Sequence, residues 1–259
     1  MNLELEGRIA IVGGASQGIG FGIARTLAAE GAKLAITARR EDDLRHAADR
    51  ISAETGADVL PIPADSRRAE DCRRVTDAVL ERFGGVDILV NNDGAPPLGA
   101  IESFDDTAWH RAIEQNLMYV VRMARAVLPH MKARGGGSIL NITAISAIQP
   151  IPKFGLSVAS WAGVIGYAKT LSLEVAAHGI NVNTICPGYI ETRRLEKVFA
   201  AGGEDPQAMR DQLIREVPMG RLGTVEDVAG LVALLVSKRG RYITGTSIPV
   251  DGGLLRAVR

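Results

Sequence analysis

A short glycine-rich run offers the first recognisable chemistry in the sequence: Gly13-Gly14-Ala15-Ser16-Gln17-Gly18-Ile19-Gly20. Glycine has no Cβ, so a backbone built from it can turn sharply and approach a phosphate group closely. Where a helix begins at such a run, its free N–H groups and the positive end of its dipole stabilise the phosphate charge. The run therefore predicts a diphosphate-binding turn, with an ordinary tight turn as the alternative.

Arg39 follows the second apolar run of the chain, at the position where a dinucleotide-binding fold reads the adenosine ribose. An acid at this position holds the 2′-hydroxyl group, whereas a base accommodates a 2′-phosphate. Ala38 stands where the acid would be, and the guanidinium of Arg39 has a fork of donors suited to phosphate. We therefore expect NADP(H) rather than NAD(H). The alternative is that residues 39–43 form a charged, solvated helix start.

Apolar runs that predict strands alternate with helical periodicity along the whole chain. The predicted strands are 9–12, 33–37, 58–62, 86–90, 137–143, 180–186 and 246–250. This alternation predicts one α/β domain over residues 1–259, a Rossmann-like doubly wound fold with a seven-stranded parallel sheet.

Other predicted elements place polar residues near the glycine run. Asp65 follows the third strand, where it can accept from an adenine amino group, cap the next helix, or do both. The turn at residues 91–94 follows the fourth strand, beside the switch point where ligands bind. Asn116 lies inside a predicted long helical region, 105–130. A helix over 157–178 is apolar almost all round, and the more polar stretch 189–221 predicts a mobile flap.

Composition excludes several other classes of function. Thirty basic residues balance thirty acidic ones, so nucleic-acid or membrane binding is not expected as the main role. The longest apolar tract near the C-terminus, 231–236, is too short to span a bilayer, and the N-terminus does not resemble a secretory signal. Two distant cysteines predict free thiols and a cytoplasmic protein. The four histidines form no ligand cluster, so no metal site is expected.

Spaced motifs in sequence order resemble those of the short-chain dehydrogenase/reductase family, and most closely its β-ketoacyl-acyl-carrier-protein reductases. They are Gly14-x-x-x-Gly18-x-Gly20, Asn91-Asn92-Asp93-Gly94, Asn116, Pro187-Gly188-Tyr189-Ile190-Glu191-Thr192, Arg221-Leu222-Gly223 and Val250-Asp251-Gly252-Gly253. The resemblance covers essentially the whole chain and implies the same Rossmann-like fold.

The resemblance implies a set of cofactor-binding residues. The glycines hold the pyrophosphate, Asp65 meets adenine, Asn92 and Gly94 line the adenosine side, and Ile190 and Thr192 meet the nicotinamide carboxamide. The full expected set is Gly14, Ser16, Gln17, Gly18, Ile19, Gly20, Arg39, Asp65, Asn92, Gly94, Pro187, Gly188, Ile190 and Thr192. Two positions depart from the family pattern: Gly13 stands where threonine is usual, and Asp93 where alanine is usual. A carboxylate at Asp93 is expected to weaken cofactor binding.

The catalytic set departs further from the family pattern of asparagine, serine, tyrosine and lysine. Alignment by the downstream motif places Ala144 at the serine position, Ser157 at the tyrosine position and Trp161 at the lysine position. Only Asn116 matches. The chain therefore resembles a divergent branch, and Ser157 joins Asn116 as a catalytic candidate. The substitute proton donors considered are Tyr189, Thr143, Ser146, Lys153 and a water held by Asn116.

The resemblance implies an oxidoreductase that reduces a carbonyl, such as a 3-oxoacyl group, with NADP(H), or oxidises the corresponding alcohol. A phenol beside an ammonium group is the usual proton donor, and Ser157 lacks both features. We therefore also consider a catalytically impaired NADP(H)-binding or scaffold protein, and non-redox chemistry, such as a lyase or hydrolase reaction, in the same cleft. The expected partners are a small carbonyl or alcohol substrate and further copies of the chain, as a homotetramer by family likeness.

Overall fold

A parallel seven-stranded sheet forms the centre of the computed structural model, which describes residues 2–94, 96–196 and 205–257. The strands are β1 (Ile9–Val12), β2 (Lys33–Ala38), β3 (Val59–Pro63), β4 (Ile88–Asn91), β5 (Gly137–Ile142), β6 (Ile180–Pro187) and β7 (Ser247–Val250). Their order is β3-β2-β1-β4-β5-β6-β7, so the chain reverses direction across the sheet between β1 and β4. This confirms the predicted Rossmann-like fold, and ligands bind at such a switch point.

Helices cover both faces of the sheet. They are α1 (Gly18–Ala29), α2 (Glu41–Thr55), α3 (Ala69–Phe83), α4 (Asp106–Ile113), α5 (Tyr119–Ala133), α6 (Gly155–Val175), α7 (Pro206–Glu216) and α8 (Val225–Val236). One apolar core lies between the sheet and α1, α2 and α8, and a second lies between the sheet and α3, α5 and α6. Successive strand residues contribute to opposite cores, which explains why the strands read as continuous apolar runs.

The long helical region predicted over 105–130 is present, but it is not one regular helix. A π-helical turn, Glu114–Met118, separates α4 from α5, and Asn116 lies within it. Such wide turns replace the regular backbone ladder and are frequent at functional sites. The turn accounts for an asparagine in the middle of a helical region.

Part of the predicted flap over 189–221 lies outside the described residues, since it includes 197–204. Within the described part, residues 193–196 are helical and α7 follows, with Asp205 accepting from the Gln207 N–H at its start. Residues 189 and 190 stay close to the body of the protein: Ile190 pairs with Gly223, which precedes α8. The mobility of the flap stays a prediction.

Candidate functional site

The glycine run forms the turn from β1 to α1. Gly14 and Gly18 have φ values of +56° and +61°, in the left-handed region that glycine adopts without steric cost. Gln17 precedes α1 without a side-chain cap, and the first turn carries no acidic residue. The first N–H groups of a helix have no partner within the helix, so this end of α1 can bind an anion. Ser16 and Ile19 are half-buried beside it, and Gln17 is exposed.

Asn92 braces this turn from the end of β4. Its side-chain amide nitrogen donates to the Gly13 carbonyl oxygen at 3.0 Å and lies 3.5 Å from the Gly14 carbonyl oxygen. A Cβ at Gly14 would lie 2.7 Å from the Asn92 carbonyl oxygen, and one at Gly20 would lie 2.4 Å from the Gly14 carbonyl oxygen. Both positions therefore require glycine, and Asn92 contacts the turn itself.

The residues after β6 lie close to the start of α1. A Cβ at Gly18 would lie 3.6 Å from the methyl group of Thr192, which is ordinary van der Waals contact. Pro187 ends β6, and a Cβ at Gly188 would clash with Asp251 at 2.8 Å. The structure thus brings together the two motifs that were predicted to hold the diphosphate and the nicotinamide.

Arg39 lies at the end of β2, exposed, beside a cavity that also reaches Gly14. Among the residues that the structure describes, no carboxylate lies within salt-bridge distance of Arg39, whereas its neighbour Arg40 pairs with Asp43. Arg39 is therefore available to an anion at the mouth of this cavity.

Asp65 lies in the same cavity, but its carboxylate is already paired. Arg67 donates from Nε and Nη2 to the two oxygens of Asp65, at 2.9 Å and 2.6 Å. This hydrogen-bonded pair holds the pKa of Asp65 below its usual value. The prediction that Asp65 caps the next helix is wrong, because α3 begins after Arg68 and has no side-chain cap. The carboxylate instead closes the short turn before α3, where it also accepts from the Arg67 N–H.

Asp93 lies opposite Asp65 in the cavity, and its surroundings were not predicted. The Ser66 hydroxyl donates to one carboxylate oxygen, and the Gly94 N–H donates to the other at 2.6 Å. Burial raises the pKa of Asp93, against the effect of the Gly94 bond.

Tyr119 of α5 lines the cavity floor and was also missed by the sequence interpretation. A Cβ at Gly13 would lie 2.2 Å from its hydroxyl oxygen. The sequence did carry a signal for this contact: Gly13 stands where threonine is usual, and a glycine there leaves room for a large side chain such as Tyr119.

The four residues at the expected catalytic positions lie around the start of α6. The best amide orientation of Asn116 lets it donate to the Gly94 carbonyl at 3.2 Å and accept from Trp161 Nε1 at 3.3 Å. Ser160 Oγ lies 2.8 Å from the same amide, a partner that the sequence interpretation missed. Ala144 precedes the short 3-10 turn Ile145–Ala147. The indole at the expected lysine position is therefore tied to Asn116.

Among the described residues, Ser157 and Ser146 each bury a hydroxyl oxygen that has no hydrogen-bond partner. An unsatisfied buried hydroxyl costs about 1–3 kcal/mol, so each of them is a candidate to bind a ligand group or water.

The other substitute donors are engaged elsewhere. The Tyr189 hydroxyl lies 3.3 Å from Glu216, and burial beside that carboxylate raises the pKa of Tyr189 to about 12. Thr143 bonds the Ile185 carbonyl at 3.2 Å, and Lys153 is exposed.

The described residues hold no cluster of three or more histidine, cysteine or acidic side chains that fits a metal ion. They also hold no helix that is both long enough and apolar enough to cross a membrane.

Comparison with known proteins gives consistent matches over the whole chain. Residues 14–255 match the family model described as enoyl-(acyl carrier protein) reductase. The chain is 37% identical to the 3-oxoacyl-[acyl-carrier-protein] reductase of Escherichia coli, covering 97% of this chain and 99% of that one. It is 36% identical to the D-beta-hydroxybutyrate dehydrogenase of Rhizobium meliloti, covering 95% and 98%.

A solved structure matches equally completely. The L-sorbose reductase of Gluconobacter frateurii, crystallised with NADPH and L-sorbose, superposes with a TM-score of 0.96 at 34% identity, and each chain is covered over 100% of its length.

Proposed function

The chain belongs to the short-chain dehydrogenase/reductase family, and we propose that it is an NADP(H)-dependent carbonyl reductase, or alcohol dehydrogenase, with an atypical active site. The observation that carries this proposal is the uncapped start of α1 at the glycine turn, which lies beside Thr192 of the loop after β6, since a Cβ at Gly18 would come within 3.6 Å of the Thr192 methyl group. The relatives named above act on 3-oxoacyl, hydroxybutyrate and sorbose compounds, so a small carbonyl or its alcohol is the proposed substrate class.

The residues present fit a nicotinamide dinucleotide. The glycine turn would hold the diphosphate on the N–H groups at the start of α1, with Asn92 fixing the turn from behind. Ile190 and Thr192 would meet the nicotinamide end, with Thr192 beside Gly18. When bound, the nicotinamide supplies or accepts the hydride.

Arg39 supports the preference for NADP(H). It is exposed beside the cavity and keeps its guanidinium donors available, while Arg67 is committed to Asp65. A 2′-phosphate would give Arg39 a charge-assisted hydrogen bond that a hydroxyl group cannot match.

For the chemical step, the chain must deliver a proton to the oxygen of the reduced carbonyl. We assign this role to the buried hydroxyl groups of Ser157 and Ser146, because neither has a partner and the other candidates are engaged or exposed. An aliphatic hydroxyl is a weaker acid than the usual tyrosine, and general acid catalysis contributes about 10²–10⁴ in rate. We therefore expect slow turnover.

A second function is favoured by the contact between Trp161 and Asn116. The resemblance places Trp161 where the family has lysine, and its indole N–H donates to Asn116. A protein that binds NADP(H) without turning it over would tolerate this arrangement.

The test is NADPH oxidation on a panel of 3-oxoacyl thioesters and small ketones. Wild-type protein is compared with the variant Ala144→Ser/Ser157→Tyr/Trp161→Lys, which restores the family set. We expect slow wild-type turnover that Asn116→Ala lowers further, and faster turnover in the triple variant. NADPH binding with zero wild-type turnover would favour the second function, and turnover without NADPH would favour non-redox chemistry.

A further inference from the structure

Asp93 is an ionisable group in the cavity beside Arg39, next to the glycine turn where the proposed function places the diphosphate. It lines that cavity together with Gly14 of the glycine turn and with Asp65. Both of its carboxylate oxygens accept hydrogen bonds, one from the Ser66 hydroxyl on the β3–α3 loop and one from the Gly94 N–H. The carboxyl group therefore cannot swing out to solvent without breaking two hydrogen bonds.

The charged and titratable groups around Asp93 do not neutralise it. Arg39 at the end of β2 and Arg67 before α3 are the cations that act on it, and Arg67 is already in a two-point pair with Asp65. Asp65 adds a like charge. Tyr119 of α5 and Cys72 of α3 complete the wall; burial raises the pKa of the Cys72 thiol to about 11 and that of Tyr119 well above its usual value, so both are neutral at physiological pH.

A dinucleotide would bring the two negative charges of its diphosphate to the glycine turn, which shares the cavity with Asp93. Like charges in a partly dehydrated site disfavour each other, and the carboxyl group can relieve this by taking up a proton. A protonated carboxyl keeps an acceptor oxygen for Gly94 and gains an O–H donor.

We propose that Asp93 takes up a proton when the dinucleotide binds, and that this residue makes cofactor affinity fall as the pH rises. The proposal rests on the proposed function, because it needs the diphosphate of a dinucleotide at the glycine turn beside this cavity. A single proton changes the affinity at most about tenfold per pH unit.

Calorimetric titration with NADH between pH 6 and pH 8.5, in two buffers of different ionisation enthalpy, tests the proposal. NADH is the probe because it lacks a 2′-phosphate, whose own second pKa is near 6. We expect the wild type to take up protons on binding and to bind more weakly as the pH rises. Asp93→Asn should abolish the uptake, remove the pH dependence and bind more tightly than wild type at pH 8.5. The matched control Asp77→Asn, at an exposed position of α3, should behave like wild type.

A second variant keeps the test independent of how well Asp93→Asn folds. Ser66→Ala removes a hydrogen-bond donor to the ionised carboxylate, which should raise the pKa of Asp93. The fall in NADH affinity should therefore begin at a higher pH than in wild type. Binding with the same pH profile in wild type, Asp93→Asn and Ser66→Ala would overturn this inference and leave the proposed function standing. No heat from any of these proteins at any pH, with NADH or with NADPH, would overturn both.

Discussion

At the scale of single residues, the site contains glycines that the backbone geometry requires and side chains that are proposed to contact the ligand. Gly14 and Gly20 are required, because a Cβ at either would meet a backbone oxygen within 2.7 Å. Arg39 is different, since nothing in the described structure fixes its side chain in an ion pair, and its proposed role depends entirely on a bound anion.

Arg39→Ala should weaken NADPH binding by about 10–100-fold, because a hydrogen bond to a charged group contributes about 1.5–3 kcal/mol. NADH binding should change little, since NADH has no phosphate for Arg39 to contact. Titration of both coenzymes into both proteins measures the difference. Arg40→Ala is the matched control, as Arg40 pairs with Asp43 on the surface. Equal weakening of the two coenzymes would contradict the assignment of Arg39.

Gly13→Ala should destabilise the fold by about 1–3 kcal/mol, as overpacking does in a filled interior. The added Cβ would overlap the Tyr119 hydroxyl at 2.2 Å and the Asn92 carbonyl oxygen at 2.6 Å. Gly166→Ala is the control: nothing lies within 4 Å of its added Cβ on α6, so helix propensity should stabilise that variant. Urea unfolding compares them, and equal stability of Gly13→Ala and wild type would contradict the packing described for Tyr119.

At the scale of elements, the sequence predicted what depends on local pattern and missed what depends on contacts between distant segments. The glycine turn was predictable because its backbone demands are local. The pairing of Asp65 with Arg67 was not, since a carboxylate after a strand has several competing partners within reach. The placement of Tyr119 under Gly13 joins residues 106 positions apart, and no periodicity in either segment reports it.

The start of α8 offers a pH-dependent test at this scale. Thr224 and Asp227 form a capping box, and the hydrogen bond from Arg221 is the main reason that the pKa of Asp227 falls to about 2 from 3.8. A carboxyl group with a lowered folded-state pKa stabilises the fold above its unfolded pKa, and that stabilisation is lost as the pH falls toward the folded value.

We therefore expect Asp227→Asn to lower the thermal midpoint at pH 6, and we expect the gap from wild type to narrow between about pH 4 and pH 2. Thermal unfolding at several pH values measures this. Arg221→Gln should remove most of the same pH dependence while the Thr224 cap remains. A gap that stays constant down to pH 2 would show that the ion pair does not stabilise the helix start.

At the scale of the whole molecule, the alternation of strands and helices was enough to predict a seven-stranded parallel sheet. The sequence could not predict how copies of the chain assemble, because an apolar helix serves equally well in a core or at an interface. In the structure, α6 buries Val164, Ala168 and Leu171 against the sheet and leaves Leu173 exposed over 73% of its surface. Tyr242 is fully exposed as well.

We expect the protein to be a homotetramer, with the exposed face of α6 in an interface. Leu173→Glu should then lower the mass in solution, because it places a charge in an apolar contact. Size-exclusion chromatography with light scattering measures the mass, and Glu174→Gln, at the neighbouring exposed position, is the control. A wild-type mass equal to that of one chain would contradict the predicted homotetramer.

The central claim is that the diphosphate of a dinucleotide binds at the glycine turn between β1 and α1. Calorimetric titration of the wild-type protein with NADPH tests this claim most directly. The account predicts saturable heat with NADPH and weaker binding of NADH. The absence of heat with either coenzyme at millimolar concentration would contradict it.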